Sequence, residues 1–205
     1  MTKDKLVQRH HLPGLLTAAA DLLDHLGPVT GLRLGLHTTL PEGVRLLVKT
    51  GRPYTDEVGP LDQIGASLGA SITHDRADGL TLSHVTGTWK GTPAYGSHLS
   101  ATSQPAGDKP CTQSAAELAR RVRGLIPWAR KEWARWAESL HVYDESGTPC
   151  VHAVLKPEGS LDTTLADFLD ATGLLQYAHD RKHDYVVHGS VLLDDGTVVT
   201  TSVIT

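Results

Sequence analysis

Residues 32–37 read Leu-Arg-Leu-Gly-Leu-His, and this strict period of two constrains the fold more than any other stretch of the chain. Alternate side chains of a strand leave opposite faces, so Leu32, Leu34 and Leu36 claim one face and Arg33, Gly35 and His37 the other. Pro41-Glu42-Gly43 then turns the chain into Val44 to Lys49, where Arg45 and Lys49 again alternate with apolar residues. Such a hairpin is half covered and half open, the usual state of an antiparallel sheet.

The flanking segments carry helical spacing instead. Leu15, Leu16, Ala19, Leu22, Leu23 and Leu26 predict a helix over 12–26, opened by Pro13 and ended by Gly27-Pro28. Pro60 opens a second helix with Leu61, Ile64 and Leu68, closed by Gly69. Strands are expected from about Ala70 to His74, Leu80 to Lys90 and Pro93 to Ala101, the first two joined through Ala77-Asp78-Gly79. Residues 103–113 read as a linker.

Beyond it, Ser114-Ala115-Ala116-Glu117 forms a capping box for a helix expected to run to about Leu140, kinked near Pro127. A hairpin follows, His141 to Tyr143 with Cys150 to Leu155. Ser160 caps a helix bearing Leu161, Leu165, Phe168 and Leu169. After a polar loop, Tyr185 to Leu193 and Thr197 to Ile204 make a last hairpin across Asp194-Asp195-Gly196. The fold class is therefore α+β, antiparallel β-hairpins with helices, in two halves (1–102 and 114–205) of similar helix-hairpin-helix-hairpin order. That order fits either a duplication or the small menu of α+β arrangements.

The 205 residues suffice for a core without staples, and with one Phe that core must be Leu, Val and Ala. No run approaches the roughly 18 apolar residues of a membrane span, and two cysteines do not make a secreted disulfide framework. A cytoplasmic protein with no membrane role is expected. The absence of Asn and rarity of Ile suggest a high-GC bacterium, or a phage or plasmid (a mobile genetic element) within one. Net charge is -4, so no global field favours nucleic acid.

Four constellations could carry chemistry. Each of His37-Thr38-Thr39, His84-Val85-Thr86, His98-Leu99-Ser100 and His188-Gly189-Ser190 places a hydroxyl two residues after an imidazole, on one face of a strand. Two such pairs facing each other would supply a general acid, a general base and phosphate-holding hydroxyls. That arrangement resembles the two-histidine phosphoesterases, which act on cyclic phosphates and related RNA ends. The resemblance implies one His-x-Thr/Ser from each lobe of a duplicated fold, with His84, Thr86, His188, Ser190, His37 and Thr39 as catalytic candidates. His179 and His183 would share a helical face and could ligate a metal. Arg120, Arg121, Arg123, Arg130 and Lys131 with Trp128 could grip and stack nucleic acid. Arg33, His37, Thr39, Arg45 and Lys49 make a small cationic sheet face that could receive an acidic partner or a phosphate.

Phosphate-binding, dinucleotide-binding, nucleophile-elbow and zinc-protease motifs are all missing, so no cofactor is expected. The reading that follows is a non-catalytic protein-binding or accessory protein. It expects a protein partner or self-association; the alternatives are the phosphoesterase and nucleic-acid binding through the basic helix.

Overall fold

The computed structural model describes residues 11–39, 43–48, 59–101, 113–145, 148–156, 177–180, 185–188, 191–192 and 197–204. Helix α1 (Leu12–Leu26) buries the leucine stripe predicted for it, with Leu16 and Leu23 fully enclosed. Strands β1 (Leu32–His37) and β2 (Val44–Val48) form the predicted hairpin, with Leu34 opposite Leu46. Helix α2 (Gly59–Leu68) follows, then β3 (Thr73–Ala77), β4 (Leu80–Trp89) and β5 (Thr92–Ala101). Gly96 on β5 is a glycine of necessity, because a Cβ there would lie 2.9 Å from Ile64 Cγ2 of α2. The helix can sit down on the sheet only where that side chain is missing.

Helix α3 (Ala115–Trp128) starts at the predicted capping box: Glu117 N–H donates to Ser114 Oγ at 3.2 Å and Ser114 N–H to Glu117 Oε2 at 3.0 Å. It does not reach Leu140. It stops one residue after Pro127, and a short 3-10 turn (Glu132–Trp136) leads into strand β6 (Ala137–Glu145). Period two overrides helical spacing here, for Leu140 and Val142 are buried while His141 and Tyr143 between and after them are half-buried. Strand β7 (Thr148–Leu155) completes that hairpin. Strand β8 (Tyr177–Asp180) occupies what reads as a polar loop, and pairs antiparallel with β9 (Tyr185–His188). Strands β10 (Val191–Leu192) and β11 (Val198–Ile204) follow. The helix expected after Ser160 and most of the 103–113 segment lie outside the described residues.

All these strands join one mixed, mostly antiparallel sheet in the order β3-β4-β5-β2-β1-β6-β7-β11-β9-β8, with β10 beside β11. The order repeats outward from the antiparallel β1–β6 seam. On each side comes a hairpin partner (β2 or β7), then a parallel neighbour (β5 or β11), then two antiparallel strands. The registers agree as well: Leu36 faces Val44 and Val44 faces Ala94, as Val142 faces Val151 and Val151 faces Val199. This pairing pattern has its twofold centre where Gly35 faces His141.

One face of the sheet carries the core. Leu32, Leu34, Leu36, Val44, Leu46, Leu140, Val142, Val151 and Ala153 pack with the buried stripes of α1 and α3. No described helix is long and apolar enough to cross a membrane. Removing Leu16, fully buried in α1, should cost about 2–5 kcal/mol as Leu16→Ala, read by urea unfolding of the full chain. A loss below about 1 kcal/mol would mean that α1 is not seated on this core.

Candidate functional site

The face opposite the described helices bears what the alternation of β1 leaves over. Register places Tyr95, Arg45, Gly35, His141, His152 and Thr200 in one row across six strands, from β5 to β11. Over the middle of this row lies a hollow of about 470 Å³, walled by Arg33, Gly35, His37, Arg45, Leu47, Leu82, Tyr95, Ser97, His141 and Tyr143. Among the described residues no carboxylate lines it.

Each guanidinium lies on an aromatic ring. Arg45 Cζ is 5.1 Å from the Tyr95 ring centre and Arg33 Cζ 5.4 Å from that of Tyr143, within cation–π range. Neither forms an ion pair among the described residues, and Arg33 Nε is buried with no acceptor there. An unpaired buried donor costs about 1–3 kcal/mol, which an incoming acceptor would relieve.

His141 leans over Gly35: a Cβ on Gly35 would meet its Nδ1 at 3.3 Å, so the absent side chain is the room the ring uses. Its Nε2 is 3.1 Å from Ser139 Oγ, and the His37 ring meets it edge-on at 5.6 Å. Burial, then His37, His152 and Arg45 beside it, push its pKa down to about 4. At neutral pH the ring is therefore uncharged. Burial also lowers the pKa of His152, whose Nδ1 lies 2.8 Å from Thr200 Oγ1 and Nε2 3.2 Å from Ser202 Oγ. Because the Thr200 hydroxyl can donate to Val151 O at 3.4 Å, a self-consistent network has His152 Nδ1–H donating and Nε2 accepting. Arg33 and Arg45 are thus permanent positive charges beside two imidazoles, those of His141 and His152, that burial holds neutral.

Of the sequence candidates, Arg33, His37 and Arg45 meet in this hollow, with Thr39 just beyond β1 and Lys49 outside the described residues. His84 and Thr86 lie on β4, three strands from β1, with His84 Nδ1 3.5 Å from Asp75 Oδ2. His188 lies on β9, seven strands from β4 along the sheet, and Ser190 is outside the described residues. His98 is buried at 8 % exposure on the helix-bearing side. The imidazole beside His37 is instead His141, which belongs to none of the four motifs.

His179 sits on strand β8, so the helical spacing that would align it with His183 does not apply; His183 is outside the described residues. Among the described residues no three His, Cys, Asp or Glu side chains are grouped to hold a metal. On the basic helix, Arg123 pairs with Asp24 of α1, and Arg121 Nη1 lies 3.9 Å from Asp144 Oδ2 of β6. Arg120, Arg130 and Lys131 are exposed, and Trp128 packs partly against the core.

The hollow also contains residues that sequence reasoning passed over, Tyr95, His141 and Tyr143. The signal was the alternation Leu140-His141-Val142-Tyr143, masked by carrying the preceding helix too far.

No protein-family model matches the chain, and no curated protein does. Two solved structures of Streptomyces coelicolor methylmalonyl-CoA epimerase variants, both in complex with 2-nitronate-propionyl-CoA, are similar at 14% identity, with TM-scores of 0.20 and 0.22. They span 71% and 75% of this chain and 86% and 91% of theirs. Likeness this distant carries no argument about the hollow.

The low pKa of His141 fixes a pH dependence. Between its ordinary 6.5 and its folded value of about 4 the unfolded chain binds more protons, so stability falls as pH drops through that window. Allowing for partial exposure, the loss should be about 1–2 kcal/mol. Urea unfolding at pH 7 and pH 5 should show it, and His141→Gln should shrink the difference. His152 and His98, shifted in the same direction, keep part of the slope. An unchanged slope in the variant would refute the assignment.

Proposed function

We propose that the chain is a non-catalytic binding protein, an accessory protein that receives an acidic or phosphate-bearing partner on the open face of its sheet. The observation that carries this is the pair Arg33 and Arg45, each backed by a tyrosine ring and neither matched by a carboxylate among the described residues of the hollow. Cations fixed on aromatic rings are pre-oriented and lose little freedom when an anion arrives. The nearest hydroxyl–imidazole pair speaks for binding rather than chemistry, since Ser139 is only 5% exposed and an imidazole with a pKa of about 4 is a weak base. The repeated strand order also supports reading the chain as two related halves, an accessory protein of a high-GC bacterium or its mobile elements being the reading carried from composition.

One observation favours a second reading, a phosphoesterase. The His37 and His141 rings lie 5.6 Å apart on the two central strands, with Thr39 and Ser139 two residues away. Such a site would use His37 and His141 rather than His84 and His188.

Calorimetric titration of the full chain with pyrophosphate at low salt separates the two. Arg33→Ala and Arg45→Ala should each weaken binding by about tenfold or more, and His188→Ala should leave it unchanged. Raising the salt should weaken it further. Hydrolysis of a nucleoside cyclic phosphate that disappears in both His37→Ala and His141→Ala would overturn the non-catalytic reading in favour of the phosphoesterase.

A further inference from the structure

The hollow is not uniformly polar, and its polarity has a direction. At the β1–β6 end are Arg33, Arg45, His37 and His141. Toward β4 the wall becomes Leu47 and Leu82, both half-buried side chains on the open face. Leu82 faces Leu99 across the β4–β5 ladder, and Leu80 lies two residues before Leu82 on the same strand. Leu99 is 53% exposed and Leu80 43%, the only large apolar side chains among the described residues to be exposed. An apolar strip therefore leaves the cationic end of the hollow and runs outward over β4 and β5.

Size points the same way. A volume of about 470 Å³ lies within the range of small-molecule sites, whereas a bare oxyanion would leave most of it to water. Two fixed positive charges suit one anionic group, and the adjoining leucines gain by being covered.

We infer that the hollow binds a small amphipathic anion, its phosphate or carboxylate held between Arg33 and Arg45 and its apolar body lying over Leu47, Leu82 and Leu99. This rests on the open face being a binding site, and it names the ligand class. The shared chemistry is an anionic head on an apolar body, which can be aromatic or aliphatic. Leu47 and Leu82 act as specificity-determining residues: they do not touch the head, and they decide what it is attached to.

The test is calorimetric titration of the full chain with inorganic phosphate, 1-naphthyl phosphate and octyl phosphate, beside the variants Arg45→Ala and Leu82→Ser, each checked for folding by circular dichroism. At least one of the two organic phosphates should bind about tenfold or more tighter than inorganic phosphate, and which of them does so identifies the body as aromatic or aliphatic. Leu82→Ser should bring the affinity for the organic phosphates down toward that for inorganic phosphate, and Arg45→Ala should weaken all three. Should Leu82→Ser fail to fold, Leu99→Ser, at an already exposed site, replaces it with the same expectation. If inorganic phosphate binds in an Arg45-dependent way and neither organic phosphate is tighter, the amphipathic inference falls and the anion-binding reading stands. If none of the three binds with dependence on Arg45, both fall.

Discussion

The antiparallel seam between β1 and β6 is the contact on which everything else depends. Residues more than a hundred positions apart pair along it, Leu36 with Leu140 and Leu34 with Val142, and their side chains enter a core shared by α1 and α3. Thr38 fastens the end of the seam, its hydroxyl donating to Ala137 O at 2.7 Å. Further along, Gly31 N–H donates to Gln113 O and Ala115 N–H to Val29 O, so the chain entering α3 is stitched to the chain entering β1. Without this seam there would be two separate sheets, each too narrow to hold the row from Tyr95 to Thr200.

Packing on one face decides the chemistry of the other. Because α1, α2 and α3 take the Leu and Val positions of every central strand, the alternate positions are left for polar groups by default. What lifts the region around Gly35 above an ordinary solvated surface is selection within that set. Among the described residues no carboxylate lines the hollow, the two guanidiniums are backed by tyrosines, and His141 and His152 are held uncharged by burial. Two permanent cations, Arg33 and Arg45, consequently stand beside two imidazoles, those of His141 and His152, that only donate or accept hydrogen bonds at neutral pH.

Much of this was legible before any coordinates. Helix α1, the β1–β2 hairpin, α2, the strands β4 and β5, the capping box of α3 and the one-sided character of β1 all follow from period and turn residues. Arg33, His37 and Arg45 were therefore recognisable as sharing an open face. Their neighbours were not, for a physical reason. His141 joins them only through a pairing of β1 with β6, and single-strand periodicity holds no information about which strands meet. The end of α3 failed differently: Trp133, Trp136, Ala137 and Leu140 satisfy helical spacing, while Leu140 and Val142 satisfy strand spacing equally well. Register across the seam broke the tie. The His-x-Thr/Ser motifs likewise specify a face of a strand without specifying which strand lies beside it.

The pairing of Gly35 with His141 carries one more implication. At the centre of a twofold pattern a position meets its own counterpart, and here one counterpart is a void and the other a ring that fills it. The molecule is thus most asymmetric at the very point where its topology is most symmetric. A hollow lined identically from both sides would present its ligand with two equivalent orientations; a single imidazole tilted over a bare backbone removes that degeneracy and gives the site a handedness.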